Sequence, residues 1–213
     1  IEMPLRSFAV TALPEYAKMF ANGQHKELKE VFDLCLSCKA CASECPSNVD
    51  IATMKAEFLY QYQETNGYSF RNSLFANNVK YNKIGSIAPV ITNLVLNTSF
   101  TKSVMGIAQE RSVPKLANTT FSNWFAKEHI IKKSKKVYLF NDEFTNFYDV
   151  EIGKDAVFVL EKLGYEVIVL KHEESGRSFI SKGFLKEAKK VCDKNIALFK
   201  DIISGPTHSI IFE

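Results

Sequence analysis

The run Cys35-Leu36-Ser37-Cys38-Lys39-Ala40-Cys41-Ala42-Ser43-Glu44-Cys45-Pro46 constrains this chain more than any other stretch. It holds four of the five cysteines, spaced C-x2-C-x2-C-x3-C-P. Soft thiolates are the ligands that iron in a sulfide cluster takes. Tight loops between Cys35, Cys38 and Cys41 let three sulfurs converge on one corner of a cubane, and Pro46 breaks the local structure just after the fourth thiol. Count, spacing and trailing proline agree with a [4Fe-4S] ligand run. Two blander readings compete. A structural zinc site divides its ligands into two well-separated pairs, and no second pair is present in the sequence. A disulfide between neighbours is the other.

The fourth cysteine raises a second question. In two-cluster proteins the last cysteine of such a run ligates the other cluster. Cys35, Cys38 and Cys41 would then hold one cluster and Cys45 would reach a second, whose own run is missing from these 213 residues. The remaining cysteine, Cys192, lies in the helical pattern Lys186-Glu-Ala-Lys-Lys-Val-Cys-Asp-Lys194 and is expected to be a small core residue. Both ends read as cut: the chain opens on Ile1 and closes just after Ile210-Ile211-Phe212.

Composition sets wide bounds. A chain that is 46% hydrophobic and 24% charged can bury a core and make one or two domains. The formal net charge of +3 is mild. The one basic run, Lys132-Lys133-Ser134-Lys135-Lys136, is expected to be a solvated linker and not a nucleic-acid contact. No stretch reaches the roughly 18 consecutive apolar residues of a membrane helix. Clustered thiols with metal spacing fit a reducing compartment, so the cytoplasm is expected, with peripheral contact at the inner membrane face.

The chain divides near residues 130–135. Residues 1–132 read as helices and loops. Leu28, Val31, Phe32 and Leu34 fall mostly on one helical face, and that helix delivers the chain to Cys35. Asp50 is placed to cap a helix carrying Ile51, Met54, Phe58 and Leu59 near one side. The N-terminus of that helix would offer backbone N–H groups to the sulfurs. Further amphipathic stretches run over Phe70–Tyr81, Pro89–Leu96, Phe100–Ala108 and Phe121–His129. Val90, Leu94, Val95 and Leu96 are expected in the core, with a partner-docking face as the alternative.

Residues 133–213 change period. Strands are expected at Lys136–Phe140, Tyr165–Leu170 and Ser209–Phe212. Asp142–Asn146 reads as a loop, Val150–Leu163 as a helix ended by Gly164, and Ser181–Ile203 as one long helix closed near Gly205-Pro206. Strand–helix–strand–helix–strand implies a parallel sheet. The expected fold is thus α plus α/β: an N-terminal alpha-helical domain over 1–132, then a partial three-layer α/β parallel-sheet domain over 133–213.

These residues resemble a known family. Leu34 to Asp50, followed by Met54-Lys-Ala-Glu-Phe58, is similar to the second ferredoxin run of FAD-linked D-2-hydroxyacid oxidoreductases, the iron–sulfur proteins of D-lactate dehydrogenase and glycolate oxidase. Phe140-Asn-Asp-Glu-Phe-Thr-Asn-Phe-Tyr148 resembles the opening of their cysteine-rich "CCG" domain, which heterodisulfide reductases share. Ser175-Gly-Arg-Ser-Phe-Ile-Ser-Lys-Gly183 resembles the segment carrying that domain's name motif. The resemblance spans about Lys29 to the end.

It implies a helical ferredoxin-like domain followed by a cysteine-rich-type domain. It also implies an upstream FAD-binding oxidase region, fused or separate, that oxidises a D-2-hydroxyacid such as D-lactate or glycolate. Electrons would pass through 4Fe-4S clusters, two in the full protein, to a quinone or cytochrome. By position, Cys35, Cys38 and Cys41 would be ligands of one cluster and Cys45 the ligand lent to its neighbour. The chain would then carry electrons while the flavin part performs the substrate chemistry; no catalytic residue and no G-x-G-x-x-G run is found here.

The second half departs from the family. Where members have Cys-Cys before Gly-Arg, this chain has Glu174-Ser175, and neither is a cluster ligand. A structural or docking role is expected for that half. The missing cysteine pair argues against heterodisulfide-reductase-like thiol chemistry. Arg177 is read either as a partner for an anionic substrate or as an ion pair with Glu173 or Glu174. His172, alone at a strand end, is expected to be solvated or hydrogen-bonded. The remaining alternative for the whole chain is a docking module without a functional cluster.

Overall fold

The computed structural model describes residues 14–15, 17–46, 49–128, 133, 135–204 and 211–212. The fold is mostly helical with a small parallel sheet. The chain divides into two compact units, residues 1–76 with 177–188, and residues 77–176 with 189–213.

The first unit is built on α1 (His25–Asp33), α2 (Ala40–Glu44), α3 (Ile51–Asn66), α4 (Phe70–Ala76) and α11 (Arg177–Ser181), with the start of α12 (Leu185–Ile203). Leu28, Phe32 and Ile51 form a buried cluster, against which Val31, Val49 and Phe58 pack. Leu34, expected on the same face of α1, is 81% exposed, because the helix ends one residue earlier at Asp33. Farther along α3, the buried Gln63 donates through Nε2 to the carbonyl of Lys182 (2.9 Å) and accepts from Asn72 Nδ2 (2.7 Å). Gly183 is what permits this approach. Its φ is +71°, and a Cβ there would stand 2.7 Å from that of Leu59. The single long helix expected over Ser181–Ile203 starts only at Leu185, as α12; Ser181 is instead the last residue of α11, and a left-handed glycine, Gly183, separates the two.

The second unit contains α5 (Asn78–Gly85), α6 (Pro89–Leu96), α7 (Ser99–Met105) and α8 (Phe121–Glu128). It then adds β1 (Lys135–Leu139), α9 (Glu143–Phe147), α10 (Val150–Lys162), β2 (Tyr165–Ile168) and β3 (Ile211–Phe212), with the remainder of α12. The sheet order is β2-β1-β3 and both pairings are parallel, with Val137 opposite Val167 and Tyr138 opposite Ile211. Its core is Phe121, Val137, Leu139, Val150, Val157 and Val167. Gly153 brings α10 against the Phe121 ring, since a Cβ there would fall 2.6 Å from it. Gly164, at φ +93°, follows α10 as expected.

Four further expectations change. Phe70–Tyr81 is two helices, split at Asn77, where tandem asparagines compete with the helical ladder. Asp142–Asn146 is mostly helix, because the Asp142 carboxylate accepts from Thr145 N at 2.7 Å and caps α9. Val90, Leu94 and Val95 are not core: they are 72%, 75% and 51% exposed, because α6 turns Thr92 and Asn93 inward instead. Asn93 bonds Leu116 through both its amide atoms, at 2.8 Å each. Cys192 is exposed, since Val191, Asn195 and Phe199 carry the inner stripe of α12 and it falls beside them. Of the basic run, Lys132 and Ser134 lie outside the described residues; Lys133 donates its backbone N–H to Glu166 and Nζ to the Glu161 carbonyl. The expected strand start at Ser209 also lies outside them. No described helix is long and apolar enough to cross a membrane.

Candidate functional site

The cysteine run lies between α1 and α3. All five cysteines are free thiols. Cys35 and Cys41 are half-buried against the Leu28–Phe32–Ile51 cluster, Cys45 is buried, and Cys38 is exposed. Between the first three, Ser37 and Lys39 take the left-handed conformation, with φ of 56° and 60°. Non-glycine residues adopt it at a cost, and here it reverses the chain on either side of Cys38.

Two of the sulfurs already accept hydrogen bonds. The backbone N–H of Ile51, first residue of α3, donates to Cys41 Sγ at 3.3 Å, and that of Ser37 donates to Cys35 Sγ at 3.4 Å. The start of α3 is fixed by Asp50, which accepts from Thr53 N (3.0 Å) and Thr53 Oγ1 (2.8 Å). Those bonds, the backbone one first, hold the Asp50 carboxyl below its ordinary value. The predicted helix N-terminus facing the sulfurs is therefore in place. Lys55, one turn into α3, donates Nζ to the carbonyl of Cys35 at 2.6 Å. The sequence reading missed Lys55; its i+4 offset from Ile51 was the available signal.

Among the described residues no three His, Cys, Asp or Glu side chains stand together as ligands of one metal ion. The run suits an iron–sulfur cluster by its donor chemistry and its backbone. Four thiols of cluster spacing are carried on the loop after α1 and on the short helix α2 with its C-cap, two of them take N–H bonds at sulfur, and an apolar floor limits water on one side.

The comparisons agree. Residues 6–50 match the 4Fe-4S dicluster domain. D-2-hydroxyglutarate dehydrogenase of Pantoea ananatis is 28% identical over 183 residues, covering 79% of this chain and 18% of that protein. An uncharacterized iron–sulfur protein of Methanococcus maripaludis is 28% identical over 180 residues, 82% of this chain and 31% of the other. One of the subunits of the anaerobic glycerol-3-phosphate dehydrogenase of Escherichia coli is 26% identical over 165 residues, 74% and 41% respectively. No solved structure matches. The chain resembles the iron–sulfur portion of FAD-linked hydroxyacid oxidoreductases. It spans less than a fifth of the D-2-hydroxyglutarate dehydrogenase from Pantoea ananatis, at 18%.

The residues singled out in the second half have other duties. Ser175 donates its N–H (2.9 Å) and its hydroxyl (2.8 Å) to the two oxygens of Glu143, a carboxylate only 3% exposed. Glu173 pairs with Lys194 at 2.8 Å. His172 is hydrogen-bonded at both ring nitrogens: Nε2 accepts from Asn141 N at 3.2 Å and Nδ1 meets the Glu173 carbonyl at 2.6 Å. Its ring stacks on Phe140 with centroids 4.0 Å apart. Burial first, and the charge of Glu143 second, pushes Glu174 up to about 7.

Proposed function

We propose that this chain is the electron-carrying segment of a flavin-linked oxidoreductase acting on a D-2-hydroxyacid. In this reading Cys35, Cys38 and Cys41 hold one 4Fe-4S cluster and Cys45 serves a second. Residues 1–132 are the helical ferredoxin-like part, and residues 133–213 the cysteine-rich-type α/β part, in which Glu174-Ser175 has replaced the thiol pair. A bound cluster supplies one-electron relay. The residues of the chain anchor and tune it: amides of Ile51 and Ser37 stabilise negative charge on sulfur, and Lys55 brings a positive charge to the Cys35 backbone.

The partners in this reading are an FAD-binding oxidase domain or subunit, from which the electrons come, and a quinone or cytochrome that accepts them at the membrane surface. Within the hydroxyacid class the names of the relatives favour 2-hydroxyglutarate over D-lactate or glycolate. The observation that carries the proposal is the four-cysteine run with the Ile51 N–H aimed at Cys41 sulfur.

The test is anaerobic purification of the intact polypeptide with iron and sulfide analysis. A cluster-bearing protein is coloured, contains both elements in near-equal amounts, and bleaches with dithionite. Cys41→Ser abolishes that iron, while Cys192→Ser keeps it. A colourless, iron-free protein, or one that keeps its iron in Cys41→Ser, defeats the proposal. A second reading, a docking module without a working cluster, draws on the exposed apolar row Ile87, Val90, Ile91 and Leu94. It predicts partner capture that survives the loss of all four thiols.

A further inference from the structure

The short helices α5, α6 and α7 of the second unit leave an apolar face open to water. Between Lys83 and Lys102 the sequence holds no charged residue. A surface helix ordinarily turns its apolar stripe to the core and its polar side outward. In α6 the order is reversed. Asn93 is turned inward and tied to Leu116, and Asn97, just past the helix, accepts from Val113 N at 3.1 Å. Val90, Ile91 and Leu94, at helical spacing, are left outside. Ile84 and Ile87, before α6, are 60% and 83% exposed, and Phe100, on the α7 that packs beside α6, is 79% exposed. Soluble monomers rarely expose large apolar patches, and those that occur mark protein or membrane contacts.

Charge and hydrogen bonding choose between those two. From Asn77 to Gln109 the charged residues are Lys80, Lys83 and Lys102, all basic. Lys80 is exposed, and Lys102 donates Nζ to the neutral carbonyl of Gln109 at 3.1 Å. Lys83 faces Glu174 and Glu173, and Glu173 also pairs with Lys194. The apolar row is thus bracketed by cations. A second copy of this chain would set lysine against lysine, whereas an anionic surface is complementary. Specific protein interfaces carry about one hydrogen bond per 100–200 Å². The exposed side chains of this row are pure hydrocarbon, and the polar groups of Thr92 and Asn93 are spent inward, on Gly85 and Leu116. Such a row suits an acyl layer, which offers no hydrogen bonds.

We propose that this face seats the protein on an anionic lipid bilayer. Ile87, Val90, Ile91, Leu94 and Phe100 enter the boundary between headgroups and acyl chains, and Lys80 and Lys102 stay with the phosphates. Apolar segments with cationic flanks lie in that plane without crossing it, and no described helix is long and apolar enough to cross. This seating deepens the proposed function and rests on it for its role: it brings the chain to an acceptor at the membrane. The contact itself uses none of the four clustered thiols.

The probe is vesicles of equal parts phosphatidylglycerol and phosphatidylcholine, co-sedimented with the intact chain; vesicles of phosphatidylcholine alone are the comparator. The chain pellets with the anionic vesicles and binds the neutral ones at least about tenfold more weakly, and high salt weakens anionic binding in the same way. Leu94→Asp weakens anionic binding about tenfold or more, because it loses burial and adds a repelled charge, while the urea midpoint shows a folded protein. Should that variant fail to fold, Phe100→Ser is the substitute and weakens binding in the same sense. Cys41→Ser binds vesicles as the native chain does, so an iron-free chain that pellets with anionic vesicles defeats the cluster and leaves the lipid face standing. The proposal is overturned if the chain stays in solution with both vesicle types, or binds both equally. It is equally overturned if the folded variant binds undiminished, or if Leu94→Asp instead splits a dimer or releases a protein partner from a chain that takes up no lipid.

Discussion

The cysteine loop and the sheet-end cleft solve opposite problems. In the loop, acceptors are matched: Cys41 and Cys35 sulfurs each receive a backbone N–H, and Asp50 and Lys55 hold the helix that delivers one of them. In the cleft, which opens at the carboxyl ends of β1 and β2, three buried oxygens (Asn141 Oδ1, Ser86 Oγ and Glu174 Oε2) have no hydrogen-bond partner among the described residues, and Glu143 is met by the neutral donors of Ser175. The difference teaches where each region's specificity lies. A run whose thiols follow cluster spacing carries its chemistry in that spacing. A cleft built on unpaired acceptors carries it in which elements happen to meet.

Substitutions sharpen the contrast. The largest stability effect is expected from Ser175→Ala. It removes the hydroxyl donor from a carboxylate that is 3% exposed, a loss worth about 1–3 kcal/mol when a buried charged acceptor goes short. Urea denaturation of both proteins checks this, and a midpoint that does not move would show that Glu143 is relieved by water.

Glu174→Gln should act in the other direction. The folded protein holds that proton up to about 7, against an ordinary 4.5. Stability therefore falls as pH rises from about 4.5 to about 7 and stays lower above it, because the unfolded chain ionises more readily. At pH 8 the variant should be more stable by roughly 1–3 kcal/mol, and at pH 4 the two should coincide. Thermal unfolding across that range measures it; a gain that is independent of pH would break the argument.

The smallest effect belongs to the loop. Asp50→Ala removes the α3 cap and should cost about 1 kcal/mol. The folded carboxyl is held below 3.8, so its contribution is complete above that value and is lost as pH falls through the lower folded one. Chemical denaturation at pH 7 and pH 2.5 should show the difference between the two proteins shrinking in acid.

Local signals were legible where one residue decides the outcome. Asp50 as a cap, Pro89 at the start of α6 and Gly164 after α10 stand where the sequence places them. Other boundaries needed neighbours. Gly183 breaks the helix because Leu59 and Tyr60 come up against it, and nothing beside Gly183 in sequence announces them. The apolar run Val90–Leu96 reads as core by composition, yet Asn93, tied to Leu116, fixes the inward face. Asp142 with Thr145 three residues on was a readable cap signal, and its short span hid it among loop residues.

By itself the sequence determined the spacing of the four thiols, which is a covalent fact, and residues 6–50 match the 4Fe-4S dicluster domain. It also determined the alternation of strands and helices in the second half, because periods of two and 3.6 residues are written locally. Only the tertiary structure decided that Ser175 serves Glu143, that His172 is fully hydrogen-bonded, and that three oxygens are left unpaired at the end of the sheet. The Ser175–Glu143 and Asn141–His172 bonds depend on distant residues being brought within bonding distance, across separations of 32 and 31. Chain packing sets such distances, and local propensity has no access to them.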